Sequence, residues 1–327
     1  MPAHGLVRVE GFSGGKLVAR LIVELQESPG VSWMSFREAA MSSTRQATTV
    51  VYIHGAGNQP PRDDLKRRWD QDLFDRDMGQ RTRMAHYADV LHDRPETIGS
   101  AVGAPEEELT ALAAEEAKPF AGLTPRGQEL ALRLSIEIAT RAASQPPTVD
   151  ERVTGLVPPP APVRRLLLRQ LLQRLIPDAD SYFFTDKRNA IQDRLRRALD
   201  AVDGPVVVVS HSLGTVIAYD VLSEPRFAAR AVSLLVTLGS PLGYTEIQEV
   251  IARPLRIPSP VQLWANFADL LDVVTLDTTL ADDFGGGPRI IDTRVDNPAP
   301  NNHDSGGYLR APQVRSRMAA VLSADVG

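Results

Sequence analysis

The segment at 206–222, VVVVSHSLGTVIAYDVL, constrains the fold of this chain more than any other feature of the sequence. Its valines form an unbroken apolar run, which suits a strand buried on both faces of a parallel sheet. A turn of small residues from Ser210 to Gly214 follows, and a helical pattern begins directly behind it. A strand that turns at once into a helix is the building unit of an α/β protein.

Further apolar runs alternate with helical patterns on both sides of this segment. They predict an α/β fold with a mostly parallel, doubly wound sheet. The strand candidates are TTVVYI at 48–53, TRMAHYADVL at 82–91 as a strand or strand end, PVVVVS at 205–210, VSLLVTL at 232–238, VQLWANF at 261–267 and RIIDTRV at 289–295. Helices are predicted at 65–77, at 186–202, behind Gly214 and at 312–324. We therefore assign the core to residues 48–91 and 186–327.

Two regions lie outside this alternation. Residues 1–47 contain two extended runs, at 6–12 and 16–25, around a Ser-Gly-Gly turn, and we interpret them as a hairpin and linker that join the core sheet. Residues 92–185 read as a helical insertion, with helical patterns at 105–120, 125–144 and 164–176 and a proline-rich loop before the last. An insertion here would form a cap above the carboxyl ends of the strands, where α/β sheets bind ligands.

The leucines of the 164–176 stretch recur along one side of an amphipathic helix pattern. They could line a pocket for an acyl chain, give the cap a peripheral contact with lipid, or simply pack the cap onto the core. The sequence leaves these alternatives open.

Composition excludes several classes of protein. The chain has a hydrophobic fraction of 43%, a charged fraction of 24% and a net charge of −5, which is typical of a globular protein. It has no basic stripe for nucleic acid and no cysteine for disulfides, thiolate chemistry or metal ligation. No apolar run is long enough for an integral membrane segment, and the N-terminus lacks a signal-peptide pattern, so we expect a cytoplasmic protein.

Several short motifs together resemble the α/β-hydrolase family, in its lipase-like and esterase-like branch. Ser210-His211-Ser212-Leu213-Gly214 is similar to the GxSxG nucleophile elbow, with Ser210 in place of the first glycine. The turn His54-Gly55-Ala56-Gly57-Asn58-Gln59 is similar to the HGxG turn of that family. Gly239-Ser240-Pro241, a Trp-x-Asn run from Trp264 and a late histidine complete the set, which covers about residues 48–91 and 186–323.

The resemblance implies a catalytic triad. It makes Ser212 the nucleophile, and because the family's triad runs in the chain order serine, acid, histidine, it makes His303 the general base. The acid is expected after the Trp-x-Asn run, where Asp272 matches best and Asp269 is the alternate. Taken alone, the SHSLG turn would also suit a serine that caps a helix.

The resemblance also implies an oxyanion hole. Its donors would be the backbone N–H groups of Leu213 and of Ala56, with Gly57 as the alternate to Ala56. The remaining motif residues shape the two turns and are His54, Gly55, Ser210, His211 and Gly214.

The function that follows is hydrolysis of a small carboxylic ester or lipid-like substrate through an acyl-enzyme, without a metal or other cofactor. An acyltransferase, a thioesterase or an amidase would use the same triad. A binding module on a hydrolase scaffold is the non-enzymatic alternative.

Overall fold

The apolar runs of the sequence form the strands of one sheet in a computed structural model, which describes residues 47–95, 122–144, 175–275, 277–298 and 301–323. All of these residues belong to one compact unit, Gln46–Gly327. The hairpin predicted at 6–25, the helix predicted at 105–120 and most of the amphipathic stretch at 164–176 lie outside the described residues.

The described sheet has six strands in the order β2-β1-β3-β4-β5-β6. The strands are β1 Thr49–Ile53, β2 Thr82–Ala85, β3 Val206–His211, β4 Val232–Leu238, β5 Trp264–Ala268 and β6 Ile290–Arg294. Each neighbouring pair is parallel. The predicted α/β class is confirmed, and each predicted strand coincides with an observed one to within a few residues.

The helices of the described residues are α1 Arg62–Phe74, α2 Ala88–Leu91, α3 Pro125–Ser144, α4 Lys187–Asp200, α5 Leu213–Leu222, α6 Thr245–Gln248, α7 Ser305–Arg310 and α8 Pro312–Ser323, together with a helical segment at 175–184. The sequence does not predict four of these elements as helices: α2, α6, α7 and most of the 175–184 segment. α2 forms the second half of the 82–91 run, which is predicted as a strand or strand end, and α7 lies between the predicted strand at 289–295 and the predicted helix at 312–324. No helix in the described ranges is both long and apolar enough to cross a membrane.

Alternate side chains of the strands enter two separate cores, one on each face of the sheet. Val208 and Ile53 pack with α4, α5, α3 and the 175–184 helix. Val207 and Tyr52 point the other way and pack with α1, α7 and α8. Because both faces are covered, the inner strands β1, β3, β4 and β5 are mostly apolar instead of alternating with polar residues.

The sheet has a topological switch point between β1 and β3, where the chain stops adding strands on one side of β1 and starts adding them on the other. β2 lies on one side of β1, and β3 and all later strands lie on the other. Helices on opposite faces leave a crevice at such a switch point, beyond the carboxyl ends of the two strands. The Ser210 to Gly214 turn and the His54 to Gly57 turn both begin at this crevice.

Asp70 of α1 is a buried polar centre that the sequence did not reveal. Its carboxylate accepts hydrogen bonds from Tyr52 Oη at 2.9 Å, Thr82 Oγ1 at 2.9 Å and the Met78 N–H at 3.0 Å. It also pairs with Lys66 Nζ at 2.7 Å. The side chain is fully buried, so this one carboxylate joins α1, β1 and the start of β2.

We expect Asp70→Ala to lower the free energy of unfolding by about 3 to 5 kcal/mol, because it leaves buried donors and a lysine without their acceptor. Urea denaturation measures the change. Asp77→Ala is the matched control, since Asp77 contacts the same Lys66 Nζ at 3.1 Å but is largely exposed, and it should barely move the midpoint. Equal midpoints for the two variants would contradict this role for Asp70.

Candidate active site

Ser212 occupies a strained backbone position between β3 and α5. Its φ is 52° and its ψ is −129°, one of two positive φ values among the non-glycine residues described. Such a conformation is costly for a residue with a Cβ and persists only where the surroundings impose it. The Ser212 N–H donates to Leu238 O at 3.0 Å, which ties the turn to the end of β4. The side chain makes no capping bond to α5 within the described residues.

Two glycines let the turns after β1 and β3 press together. A Cβ on Gly55 would lie 2.7 Å from Ser212 Cβ and 2.8 Å from His211 Nδ1. A Cβ on Gly214 would lie 2.3 Å from His54 O and 2.7 Å from Ile53 O. All four distances are below van der Waals contact, so each position requires glycine if the turns keep this spacing.

Ser210 takes the place of the first glycine of the GxSxG pattern and has a structural use. It is fully buried, and its Oγ donates to Val236 O at 2.8 Å. The hydroxyl thus satisfies a polar group inside the sheet and joins β3 to β4. A small side chain fits here, and this one also forms a hydrogen bond.

Ser212, His303 and Asp272 form one chain of hydrogen bonds. His303 Nε2 lies 2.8 Å from Ser212 Oγ, and His303 Nδ1 lies 2.7 Å from Asp272 Oδ2. A carboxylate only accepts, so Nδ1–H donates to Asp272 and Nε2 accepts from the serine hydroxyl. Ser212 and Asp272 are buried, and the His303 side chain is 11% exposed.

Asp272 is held in place by donors besides the imidazole. Tyr308 Oη donates to Asp272 Oδ2 at 2.7 Å, and the Val274 N–H donates to Asp272 Oδ1 at 2.9 Å. Burial raises the pKa of Tyr308 well above its usual value, so its hydroxyl stays protonated and remains a donor. The carboxylate therefore has a fixed orientation toward the imidazole.

Asp269, the alternate acid, faces the backbone. Its Oδ1 accepts from the Leu271 N–H at 2.6 Å and its Oδ2 from the Asn297 N–H at 2.5 Å. Burial raises the pKa of Asp269, and these two N–H groups oppose that rise. Asp269 shapes the loop that carries Asp272 and joins it to the strand end before His303.

The loop that carries His303 is fastened by asparagines and by a helix cap. Asn297 Nδ2 donates to Asn302 O at 2.9 Å and to Asp304 O at 2.8 Å, and Asn302 Nδ2 returns a bond to Asn297 O at 2.6 Å. Asp304 caps α7 by accepting the Gly307 N–H at 2.8 Å. The position of the imidazole is thus set by the fold of its own loop.

His211 holds the same loop from the other side. Its Nε2–H donates to the His303 carbonyl at 3.0 Å, and the two rings lie 4.7 Å apart between centroids. Burial and the nearby His303 lower the pKa of His211 well below its usual value, so the ring is neutral. His211, although next to Ser212 in the sequence, therefore holds the His303 backbone.

His54 joins the carboxyl ends of β1 and β2. Its Nδ1–H donates to Gly55 O at 2.7 Å, and its Nε2 accepts the Tyr87 N–H at 3.0 Å. The ring stacks on Tyr87 with centroids 4.1 Å apart. This arrangement uses both ring nitrogens of the neutral imidazole and fixes the turn after β1.

The backbone donors near Ser212 differ in what they already bind. In the part of the chain that the structure describes, the N–H groups of Ala56 and Leu213 have no hydrogen-bond acceptor. The Gly57 N–H donates to Asp178 Oδ2 at 2.6 Å. Ala56 and Leu213 can therefore offer N–H groups to a bound molecule, whereas the Gly57 group is already committed.

The other motif residues support Asp272 and His303 from the ends of β4 and β5. Trp264 Nε1 donates to Thr237 Oγ1 at 3.0 Å, and Thr237 Oγ1 donates to Asn266 Oδ1 at 2.9 Å, which links β4 to β5 beneath the Asp272 loop. Gly239 has a φ of 56°, and a Cβ there would lie 3.0 Å from both Asp272 Oδ2 and His303 Nδ1. The Gly-Ser-Pro turn thus leaves room for the imidazole and carboxylate.

Sequence reasoning missed the contributions of Tyr308, Asn297 and Asp178. Tyr308 and Asp178 lie 36 and 121 positions from the groups they contact, so local spacing carried no signal for them. Asn297 contacts the nearby Asn302 and Asp304, but an asparagine in a loop has no distinctive pattern. No group of three or more potential metal ligands occurs among the residues whose positions are described.

Comparisons with known proteins add no family assignment. No protein-family model matches the chain, and no curated protein sequence matches it significantly. The resemblance to hydrolases thus rests on the quoted motifs, and a proposal about function depends on the geometry of the site.

The buried neutral His54 predicts how stability depends on pH. Burial, with a smaller contribution from His86, lowers its pKa to about 3, against about 6.5 in an unfolded chain. Between these values the unfolded state binds a proton that the native state does not, so this group makes stability fall as the pH drops below about 6.5, by up to ~1.4 kcal/mol per pH unit.

His54→Gln removes the group that takes up this proton on unfolding. Between pH 4.5 and 6, the slope of the free energy of unfolding against pH should therefore decrease by the equivalent of about one bound proton. Urea titrations of both proteins across this range provide the comparison. Glutamine keeps a donor and an acceptor, which limits other changes. Parallel curves for the two proteins would show that His54 is charged in the native state.

Proposed function

We propose that this protein is a serine hydrolase of the α/β-hydrolase class that cleaves carboxylic esters. The observation that carries the proposal is the pair of hydrogen bonds at His303, 2.8 Å to Ser212 Oγ and 2.7 Å to Asp272 Oδ2. These distances lie within the range required for proton transfer between a nucleophile and its base. In this proposal the three side chains are a catalytic triad.

The tautomer of His303 supports the proposal. Since Nδ1–H donates to Asp272, the lone pair of Nε2 faces the hydroxyl of Ser212. Ser212 Oγ attacks the ester carbonyl carbon as its proton passes to Nε2, and the imidazolium that forms is stabilised by the buried Asp272 carboxylate. Asp272 itself stays ionised.

The leaving alcohol takes the proton from His303 Nε2 when the tetrahedral intermediate collapses, which leaves an acyl group on Ser212. Water then attacks the acyl carbon while Nε2 accepts its proton. Collapse of the second intermediate releases the carboxylic acid and returns the proton to Ser212 Oγ. The side chains of Ser212, His303 and Asp272 provide the nucleophile, the proton carrier and the supporting charge of this cycle.

The backbone donors of Ala56 and Leu213 make up the proposed oxyanion hole. Both belong to the turns that meet at the β1/β3 switch point, and Gly55 and Gly214 allow those turns to approach. Donors of this type stabilise the developing charge, and loss of one typically lowers kcat by about 10²- to 10³-fold.

The position of the insertion supports the proposed cap. Asp178 of the 175–184 helix reaches the turn after β1. Arg133 of α3 forms an ion pair at 2.8 Å with Glu249. Glu249 directly follows α6, the short helix that comes after β4 in the chain. These contacts lie at the edge of the sheet where Ser212 and His303 are found, which is the place for elements that select a substrate.

We expect Ser212→Ala to lower kcat for a p-nitrophenyl ester by at least about 10⁴-fold while the protein stays folded. In the proposed mechanism the hydroxyl is the attacking group, and alanine has no atom that can take its place. Thermal unfolding of the variant checks that the fold is retained. Hydrolysis at the native rate by the variant would remove Ser212 from the nucleophile role.

Asp272→Asn should lower kcat by about 10⁴-fold, because an amide at this position favours the wrong imidazole tautomer. Asp269→Asn is the matched control, since Asp269 is equally buried but bonds to backbone N–H groups. Its kcat should fall by less than about tenfold. A larger loss in Asp269→Asn than in Asp272→Asn would reverse the assignment of the acid.

A further inference from the structure

A buried carboxylate from a distant part of the chain holds the turn that follows β1. Asp178 lies 121 positions after Gly57 in the sequence, and its Oδ2 accepts the Gly57 N–H at 2.6 Å. Gly57 has a φ of 89°, a conformation that favours glycine. Asp178 is only 4% exposed, so solvent provides little support for its charge.

The surroundings of Asp178 give its carboxylate few other partners. His92 Nε2 lies 3.3 Å from Oδ1 and 3.5 Å from Oδ2, which makes it a second neighbour with longer contacts. Burial raises the pKa of Asp178, and the Gly57 N–H, His92 and Lys187 oppose that rise. The Gly57 N–H, at 2.6 Å, is the shortest of the contacts that the carboxylate makes with Gly57 and His92.

The bond at Gly57 fixes the orientation of the neighbouring Ala56. The Gly57 N–H belongs to the peptide plane that begins at Ala56, so holding it restricts rotation about the Ala56 Cα–C bond. On the other side, Gly55 is pressed against Ser212 and His211. Ala56 is therefore clamped between two fixed points, and its own N–H has no acceptor among the described residues.

We propose that Asp178 is a positioning residue that orients the Ala56 N–H as an oxyanion donor. This inference rests on the proposed hydrolase function and goes beyond it, since it makes a residue of the insertion part of the catalytic geometry. Oxyanion donors act because they are oriented before the charge develops. Loss of Asp178 should therefore slow the chemical step more than it weakens substrate binding.

Asp180, two residues after Asp178, offers a matched control. Asp180 lies on the same 175–184 helix and is 5% exposed. Its carboxylate accepts from the Thr124 N–H at 3.1 Å and from Thr124 Oγ1 at 2.5 Å, so it fastens the start of α3 and not the turn after β1. Asp180→Asn repeats the loss of charge in the same helix without touching Gly57.

The test compares Asp178→Asn and Asp178→Leu, two substitutions of similar shape. Both substitutions remove the buried charge, but the asparagine oxygen can still accept the Gly57 N–H, whereas leucine cannot. For each variant we would measure kcat and KM for a p-nitrophenyl ester and the rate of phosphonylation by a fluorophosphonate. Urea denaturation gives the folded fraction by which both rates are corrected.

Asp178→Leu should lower kcat and the phosphonylation rate by about tenfold or more, with KM changed by less than about threefold. Asp178→Asn should recover most of both rates, and Asp180→Asn should match the native protein. Native rates in Asp178→Leu, or equal losses in Asp178→Leu and Asp178→Asn, would overturn the inference alone. A native protein that neither hydrolyses the ester nor reacts with the fluorophosphonate would overturn the proposed function, and the inference with it.

Discussion

The left-handed backbone of Ser212 is the constraint on which the rest of the site depends. A serine at this φ is unfavourable by about 1 to 3 kcal/mol, and the cost is offset by packing around the turn. Gly55 and Gly214 let the turn after β1 pack against it, and the Ser212 N–H bonds to the end of β4. The strained turn places the hydroxyl 2.8 Å from His303 Nε2, so one backbone position defines where the proposed nucleophile lies and which imidazole it faces.

Three of the residues that hold the site in place are neutral polar side chains that do not take part in the proposed chemistry. His211 binds the backbone of His303, His54 joins the ends of β1 and β2, and Tyr308 orients Asp272. Burial keeps both supporting histidines uncharged by lowering their pKa values. Because these supports are neutral, Asp272 is the charged group nearest to His303. The negative charge therefore lies at one end of the hydrogen-bonded row Ser212, His303, Asp272.

The sequence predicts the sheet and much of the site because both depend on local patterns. Four valines before SHSLG define β3, and the glycines of the two turns mark where the strands end. It does not predict Asp178 or Tyr308, because their partners are brought near by long connections whose course no local pattern encodes. The sequence also does not decide between Asp272 and Asp269, because both follow β5. Only the fold of the loop turns Asp272 toward the imidazole and Asp269 toward the backbone.

The central claim is that the hydroxyl of Ser212 is the nucleophile activated by His303. Reaction of the whole protein with a fluorophosphonate, followed by proteolysis and tandem mass spectrometry, identifies the modified side chain directly. We expect one phosphonyl group per chain, on Ser212, and none in protein denatured before reaction. An adduct on a different residue, or equal labelling of folded and denatured protein, would contradict it.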